Sequence, residues 1–246
     1  MDDSIEDLGT LFAELNASPQ FVIGQLGQSL DGRIALPSGE SKYINGASGL
    51  DHIHRIRATV DAVLVGVGTV IADDPQLNVR RVPGRDPARV VLDPNGRLPA
   101  SARCLQNDGA RRLVVRRPSA AGALPDGVER VEVEGTGALD PAAVVAALRA
   151  RGLKRILVEG GPRTLSAFLD GGAIDHFHII VSPVILGSGR TGLDLKPITG
   201  LSAALRPTTR VHVFPDGDVL FACDLRRRAG GEGRQDHAHR DLCPAG

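Results

Sequence analysis

Short apolar runs alternate with segments of helical periodicity along most of this chain, and that alternation constrains the fold more than any other feature. The run at 62–67 is apolar apart from one glycine, which is typical of a strand covered on both faces of a parallel sheet. In the segment 48–59, apolar residues share one helical stripe after Ser48, which we expect to be the N-cap. Strands and helices in alternation predict an α/β fold, with a mostly parallel central sheet and helices on both of its faces.

The other elements follow the same pattern. Asp140 as N-cap, Pro141 at the first helical position and Gly152 past the end bracket one more helix. The turn at 215–218 joins the last two strands, which must therefore form an antiparallel hairpin. A sharp turn is predicted at Asp31 and Gly32, further helices at 4–16 and from Pro162 to Gly171, and strands at 21–26, 89–92, 113–115, 128–133, 155–158, 174–181, 209–214 and 219–223.

No internal repeat or linker divides the chain, so we expect one domain over residues 21–225, preceded by a leader helix within 1–20. Residues 226–246 are rich in Arg, Gly, Asp and His and have no apolar periodicity, which predicts a disordered tail.

Composition excludes several classes of function. The 246 residues include 29 basic and 29 acidic side chains, so the formal net charge is zero, and only 3% are aromatic. Binding to a nucleic-acid backbone needs an excess of positive charge, so no nucleic-acid partner is expected. No apolar run approaches the roughly 20 residues of a membrane span, and the acidic N-terminus is unlike a signal peptide. We therefore expect a cytoplasmic protein, with no membrane partner, whose three scattered cysteines are reduced.

Polar residues and glycines that could form a site follow two of the predicted strands. Gly66, Gly68 and Thr69 come at the end of the strand 62–67, with Asp73 shortly after; Glu159 ends the strand 155–158 and is followed by 160–164 (GGPRT). Ligands bind beyond the carboxyl ends of parallel strands, and a glycine pair before a helix can cradle a pyrophosphate. The alternatives are a Gly-Gly turn required only by the chain reversal, a solvated Glu159 and a simple turn at Asp73.

Two nucleotide-binding motifs are absent. The third glycine of GxGxxG is missing, because Ile71 stands in its place, and no Lys-Ser/Thr pair follows either group of glycines. Arg57 and Arg80 could clamp a phosphate or could be solvated. No metal site is expected: His52 and His54 point to different helix faces, and the second histidine pair, at 176 and 178, lacks an accompanying carboxylate or thiolate motif.

Taken together, the ordered motifs of this chain resemble one family, the NADPH-dependent pyrimidine reductases of riboflavin biosynthesis, which have a dihydrofolate-reductase-like fold. The matching stretches are 29–35 (SLDGRIA), 39–44 (GESKYI), 54–58 (HRIRA), 61–69 (DAVLVGVGT), 72–80 (ADDPQLNVR), 89–93 (RVVLD), 158–161 (VEGG) and 183–187 (PVILG).

The resemblance implies a three-layer fold and a reaction of the 5-amino-6-(5-phosphoribosylamino)uracil reductase type. In that reaction a ribosylamino group is reduced to ribitylamino. The resemblance further implies NADPH as cofactor, a phosphorylated pyrimidine as substrate, a homodimer, and Asp73 and Glu159 as the catalytic residues. The cofactor contacts that it implies are Gly27, Tyr43, Gly66, Gly68, Thr69, Asp73, Gly161, Pro162, Arg163, Thr164 and Leu165, and the substrate contacts are Ser41, Arg57, Leu77, Arg80 and Glu159.

The chain departs from the family's bifunctional members in three respects. Gln25 stands where they usually carry Lys, Tyr43 replaces a common Trp, and the zinc deaminase half is absent, so a stand-alone reductase is expected. Reduction of another heterocycle, such as dihydrofolate or a dihydropterin, and a nucleotide-binding module without catalysis remain the alternatives. Arg116 and Arg117 are candidates for the cofactor's 2′-phosphate, since selection of NADPH needs a nearby cation.

Overall fold

The structure, a computed structural model, describes residues 8–42 and 44–226. The helices are α1 (Leu8–Ala17), α2 (Ala47–Thr59), α3 (Val67–Asp73), α4 (Pro141–Arg149) and α5 (Pro162–Asp170). The strands are β1 (Phe21–Ser29), β2 (Arg33–Ala35), β3 (Ala62–Gly66), β4 (Ala88–Leu92), β5 (Arg112–Arg116), β6 (Val128–Glu132), β7 (Arg155–Glu159), β8 (His176–Ser182), β9 (Arg190–Thr191), β10 (Thr208–Val213) and β11 (Val219–Asp224). Single 3-10 turns lie at Arg103–Leu105 and Leu201–Ala203.

Nine strands form the central sheet, in the order β10-β11-β8-β1-β7-β3-β4-β5-β6. All pairs from β8 across to β6 are parallel, and β11 pairs antiparallel with both β8 and β10. The predicted fold class is thus confirmed, including the antiparallel C-terminal hairpin.

Strand side chains alternate between two apolar layers, as the sequence of β3 illustrates. Val63 and Val65 pack in one layer with α2 and α3, whereas Ala62 and Leu64 pack in the other with α4 and α5. All four side chains are fully buried. Burial on both faces explains why β3 is an almost continuous apolar run rather than an alternating one.

The helices that follow β3 and β7 lie on opposite faces of the sheet, although these two strands are neighbours. The chain passes from β3 through α3 toward β4, and from β7 through α5 toward β8 on the other side. A crevice opens outside the carboxyl ends of two adjacent strands whose connections diverge in this way. The fold therefore provides a binding site between the glycines after β3 and those after β7.

Three local predictions differ from the structure. The strand predicted over 62–67 ends at Gly66, and the seven-residue helix α3, which was not predicted, begins at Val67. Ser48 is not the N-cap of α2: that residue is Gly46, which makes no side-chain capping bond. The turn at Gly32 is present, but it leads into β2, which pairs with β9 in a separate small sheet.

Helix α1 packs across the antiparallel end of the sheet. Glu14 forms two 2.8 Å hydrogen bonds with the Arg210 guanidinium on β10, and Phe12 stacks on His52, with ring centroids 5.5 Å apart. The predicted helix 4–16 therefore runs over Leu8–Ala17 in the part that is described. Residues 1–7, Tyr43 and the tail from 227 lie outside the described residues, and the domain boundaries stay a prediction. None of the described helices is long and apolar enough to cross a membrane.

Candidate active site

A cleft of about 840 Å³ lies at the carboxyl ends of β1, β7, β3 and β4. Its walls are the N-terminal turns of α3 and α5, the loop after β2, and the segment that follows α3. It therefore occupies the crevice that the sheet topology creates.

Glycines shape the floor of the cleft between α3 and α5. Gly160 and Gly161 both have positive φ, +78° and +76°, a conformation that a side chain disfavours. A Cβ on Gly161 would lie 2.8 Å from Thr69 Oγ1, and a Cβ on Gly66 would collide with the Thr164 hydroxyl. Gly161 is also the N-cap of α5 and makes no side-chain capping bond. The backbone thus comes close to any ligand at the start of this helix, where an anion is stabilised by the helix dipole.

A two-point ion pair links the end of β7 to the last turn of α2. Arg57 Nε donates to Glu159 Oε2 at 2.7 Å, Arg57 Nη2 donates to Glu159 Oε1, and Arg57 Nη1 donates to the Asn78 carbonyl at 2.9 Å. Arg57 is only 6% exposed and does not line the cleft, whereas Glu159 does. The pair presents a carboxylate to the cleft in a fixed orientation and with its charge compensated.

The segment after α3 has a strained backbone. Asp74 and Leu77 have positive φ, 40° and 59°, and Leu77 is 1% exposed on the cleft wall. Backbone strain of this kind persists where the surroundings hold it, often at binding sites. Part of that support comes from His54 Nδ1, which accepts a 3.2 Å hydrogen bond from the Arg80 backbone N–H. Burial, together with the Arg57 and Arg80 charges, lowers the pKa of His54 to about 4, so it is a neutral acceptor at pH 7.

Two polar side chains of the cleft have no hydrogen-bond partner within the described part of the chain. Asp73, the last residue of α3, is exposed on the lining. Gln25, on β1, is 8% exposed and stands opposite Glu159 in the parallel register of β1 and β7. An amide that both donates and accepts therefore lies beside a carboxylate that only accepts.

The arginines predicted for the cofactor's 2′-phosphate are engaged elsewhere. Arg116 is buried and donates to Asp93 at 3.0 Å and to the Gly122 carbonyl at 2.8 Å. Arg117 donates to Asn95 Oδ1 and to a backbone carbonyl. Neither is among the lining residues. A strand-end position alone does not distinguish a free arginine from one whose acid partner is on the neighbouring strand.

Three other arginines line the cleft, and the guanidinium groups of Arg97, Arg163 and Arg190 contact no acidic side chain of the described residues. Arg97 follows β4, and Arg163 is in the first turn of α5. Sequence reasoning missed Arg97 and Arg190; the position of Arg97 just past a strand's carboxyl end is a signal that could have found it.

Most of the residues predicted for the site do meet at this cleft. Leu165 is buried behind the wall, Arg57 and Arg80 lie off the lining, and Tyr43 is outside the described residues. The predicted residues on the lining are Gly27, Ser41, Gly66, Gly68, Thr69, Asp73, Leu77, Glu159, Gly161, Pro162, Arg163 and Thr164.

The histidines form a cluster that the sequence pattern did not reveal. His52 Nε2 lies 3.0 Å from His178 Nδ1, so a residue of each predicted pair meets one of the other pair. Within residues 8–42 and 44–226, no group of three or more His, Cys, Asp or Glu side chains could hold a metal ion.

Comparison with known proteins identifies the family. The model of the RibD C-terminal domain matches residues 20–214. The chain belongs to this family. It is 34% identical over 193 residues to the 2,5-diamino-6-ribosylamino-4(3H)-pyrimidinone 5′-phosphate reductase of Methanothermobacter thermautotrophicus, covering 76% of this chain and 89% of that protein. It is 34% identical over 188 residues to the riboflavin biosynthesis protein RibD of Aquifex aeolicus, with 75% of this chain and 52% of that one covered.

Solved structures agree with this assignment. The deaminase/reductase of Thermotoga maritima superposes with a TM-score of 0.70 at 31% identity, over 84% of this chain and 57% of that one. The Saccharomyces riboflavin biosynthesis reductase Rib7 also superposes with a TM-score of 0.70, but at 20% identity it supports the fold alone. This RibD-family chain spans about half the length of the RibD protein from Aquifex, at 52%.

Proposed function

We propose that this protein is an NADPH-dependent reductase that converts the ribosylamino group of a pyrimidine ribose 5′-phosphate to a ribitylamino group. The observation that carries the proposal is the presence, in one cleft, of the glycine floor at Gly160 and Gly161 and of the oriented carboxylate of Glu159. Membership of the RibD C-terminal domain family and the similarity to a named pyrimidine reductase support it.

The residues present fit a dinucleotide phosphate. Positive φ at two successive glycines and the uncapped start of α5 leave backbone space and a favourable dipole for a pyrophosphate. Arg97 and Arg163 supply cations on the lining and replace Arg116 and Arg117 as our candidates for the 2′-phosphate. When bound, NADPH supplies a hydride, and the protein's task is to position the reacting carbons and exclude water.

The pyrimidine would lie beside Glu159 and Gln25. Glu159 can accept hydrogen bonds from ring N–H or amino groups, and Arg57 holds it in place for this purpose. Gln25 can donate to a carbonyl or accept from an amino group, so it suits either a deaminated or a 2,5-diamino ring. Arg80 is exposed and keeps donors beyond its 2.8 Å bond to Asn78, so we propose it for the 5′-phosphate.

Reduction of the ring-opened imine adds a hydride at C1′ and a proton at the nitrogen. Asp73 is the exposed carboxyl group of the cleft, free of partners among the described residues, and two roles are open to it. It can deliver the proton to the imine nitrogen or hold the carboxamide of the cofactor.

The test is NADPH oxidation by purified protein offered the 2,5-diamino pyrimidine ribose phosphate, its deaminated counterpart and dihydrofolate. We expect turnover with at least one pyrimidine and none with dihydrofolate. Turnover with dihydrofolate alone would assign the cleft to another heterocycle, and NADPH binding without turnover on any of the three would indicate a non-catalytic module. The predicted homodimer stays a proposal, which light scattering after size-exclusion chromatography measures directly.

A further inference from the structure

Three polar side chains form a chain of hydrogen bonds between the start of α2 and the C-terminal hairpin. Asn45 Nδ2 donates to the Ile180 carbonyl at 3.2 Å and to Ser182 Oγ at 3.1 Å, and the Ser182 hydroxyl donates to Asp218 Oδ1. Ser182 and Asp218 are 1% and 2% exposed. We refer to Asn45, Ser182 and Asp218 as the Asn45 clasp. None of the three lines the cleft.

The clasp supplies the cap that α2 lacks. Gly46, the N-cap, has no capping side chain, and its N–H donates to Asp218 Oδ2 at 2.8 Å. The neighbouring Ser48 N–H donates to Asp216 Oδ2, also at 2.8 Å. Two carboxylates from the hairpin thus satisfy backbone donors at the positive end of α2.

Glycines clear the space that these contacts need. A Cβ on Gly27 would collide with Asn45 Oδ1, and a Cβ on Gly49 would lie 2.9 Å from Asp218 Oδ2. Because both acceptors of Asn45 are on its Nδ2 side, its oxygen is turned toward Gly27, which lines the cleft. The clasp therefore touches the cleft wall on one side.

On its other side the clasp fixes α2, which reaches the cleft twice. Ile53, in the middle of the helix, lines the cleft, and Arg57, in its last turn, holds Glu159. A helix that shifts along its axis or rotates at its start carries both side chains with it.

We propose that Asp218 and Asn45 are positioning residues: by fixing the start of α2 and the Gly27 wall, they set the affinity of the cleft for its ligands. This rests on the proposed reductase function. The C-terminal hairpin thereby becomes part of the site's architecture, although the residues it contributes lie more than 160 positions from those that they hold, at separations of 168 and 172.

The test compares Asp218→Ala with Asp61→Ala. Asp61 also accepts two backbone hydrogen bonds, from Lys154 and Arg155 at 2.9 and 2.8 Å, but it precedes β3 at the amino end of the sheet, away from the cleft. Both variants should lose thermal stability. Only Asp218→Ala should weaken NADPH binding, measured by fluorescence titration, and raise the KM for the pyrimidine, each by about tenfold, with kcat within about threefold.

Ser182→Ala, which keeps the Asp218 cap, is the milder variant should Asp218→Ala fail to fold, and it should change both parameters in the same direction by about threefold. Equal stability losses with unchanged NADPH affinity and KM in both clasp variants would overturn the proposal. Absence of turnover in the unmodified protein would refute the reductase function instead, and NADPH titration would still test the clasp.

Discussion

Removal of Arg57 should damage the protein through Glu159. Arg57→Ala leaves the Glu159 carboxylate, whose side chain is 15% exposed, without its counter-charge, and leaves the Asn78 carbonyl without its donor. Loss of one partner of a buried ion pair costs about 3–5 kcal/mol, and the partial exposure of Glu159 favours the lower end. About 3 kcal/mol corresponds to a fall in Tm of roughly 6–12 °C for a domain of this size.

Urea denaturation and steady-state kinetics of a double-mutant cycle measure this effect. Arg57→Leu and Glu159→Leu should each destabilise the protein, whereas the double variant should recover most of the stability, since two apolar side chains can replace a buried pair. The double variant should remain inactive, because Glu159 contacts the pyrimidine. Arg80→Ala should raise KM for the phosphorylated substrate independently of this pair.

Two results would refute the reasoning. A loss below about 1 kcal/mol for Arg57→Ala would mean that the pair is not a buried, mutually dependent unit. An equal rise in substrate KM when Arg57 is removed from the native and the Glu159→Leu backgrounds would mean that Arg57 binds the phosphate directly.

Three further predictions follow from the same structure. Gly161→Ala should weaken NADPH binding and stability, because its Cβ meets Thr69, whereas Gly172→Ala, also at positive φ but in open space, should lower stability alone; equal NADPH affinity in the two variants would contradict this. Burial lowers the pKa of His52 to about 3, so the unfolded chain, with a pKa near 6.5, binds more protons, and the free energy of unfolding should fall by about 2 kcal/mol between pH 7 and 5 on its account. His52→Phe should remove that part of the pH dependence in urea titrations, and an unchanged slope would place the cause elsewhere. Arg97→Ala should reduce the preference for NADPH over NADH by about tenfold in kcat/KM, and an unchanged ratio would exclude Arg97 from the 2′-phosphate site.

The sequence predicted the sheet and most of its helices because burial on both faces leaves a periodic signature. It predicted the glycine floor as well, since positive φ and close approach require glycine. Helix α3 was missed because it has only seven residues and contains Gly68, so its periodicity is too short to recognise. Ser48 was misassigned as a cap because the groups that serve α2 come from the distant hairpin.

Partner choice among charged side chains was the part that sequence could not predict. Arg57 and Glu159 are 102 positions apart, and nothing in their local patterns distinguishes a mutual pair from two ligand-binding groups. The same holds for Arg116, whose partner Asp93 comes just after the neighbouring strand. Which arginine remains available to a ligand depends on tertiary pairing, and this is why Arg97 emerged only from the structure.

The most direct test of the central claim is the fate of a deuterium label. Purified protein is supplied with NADPH deuterated at the transferable C4 position and with the pyrimidine ribose phosphate that it turns over, and the product is analysed by mass spectrometry and NMR. We predict one deuterium at C1′ of a ribityl chain. A product without the label, or a label on the pyrimidine ring, would contradict the assignment of this cleft to reduction of the ribosylamino group.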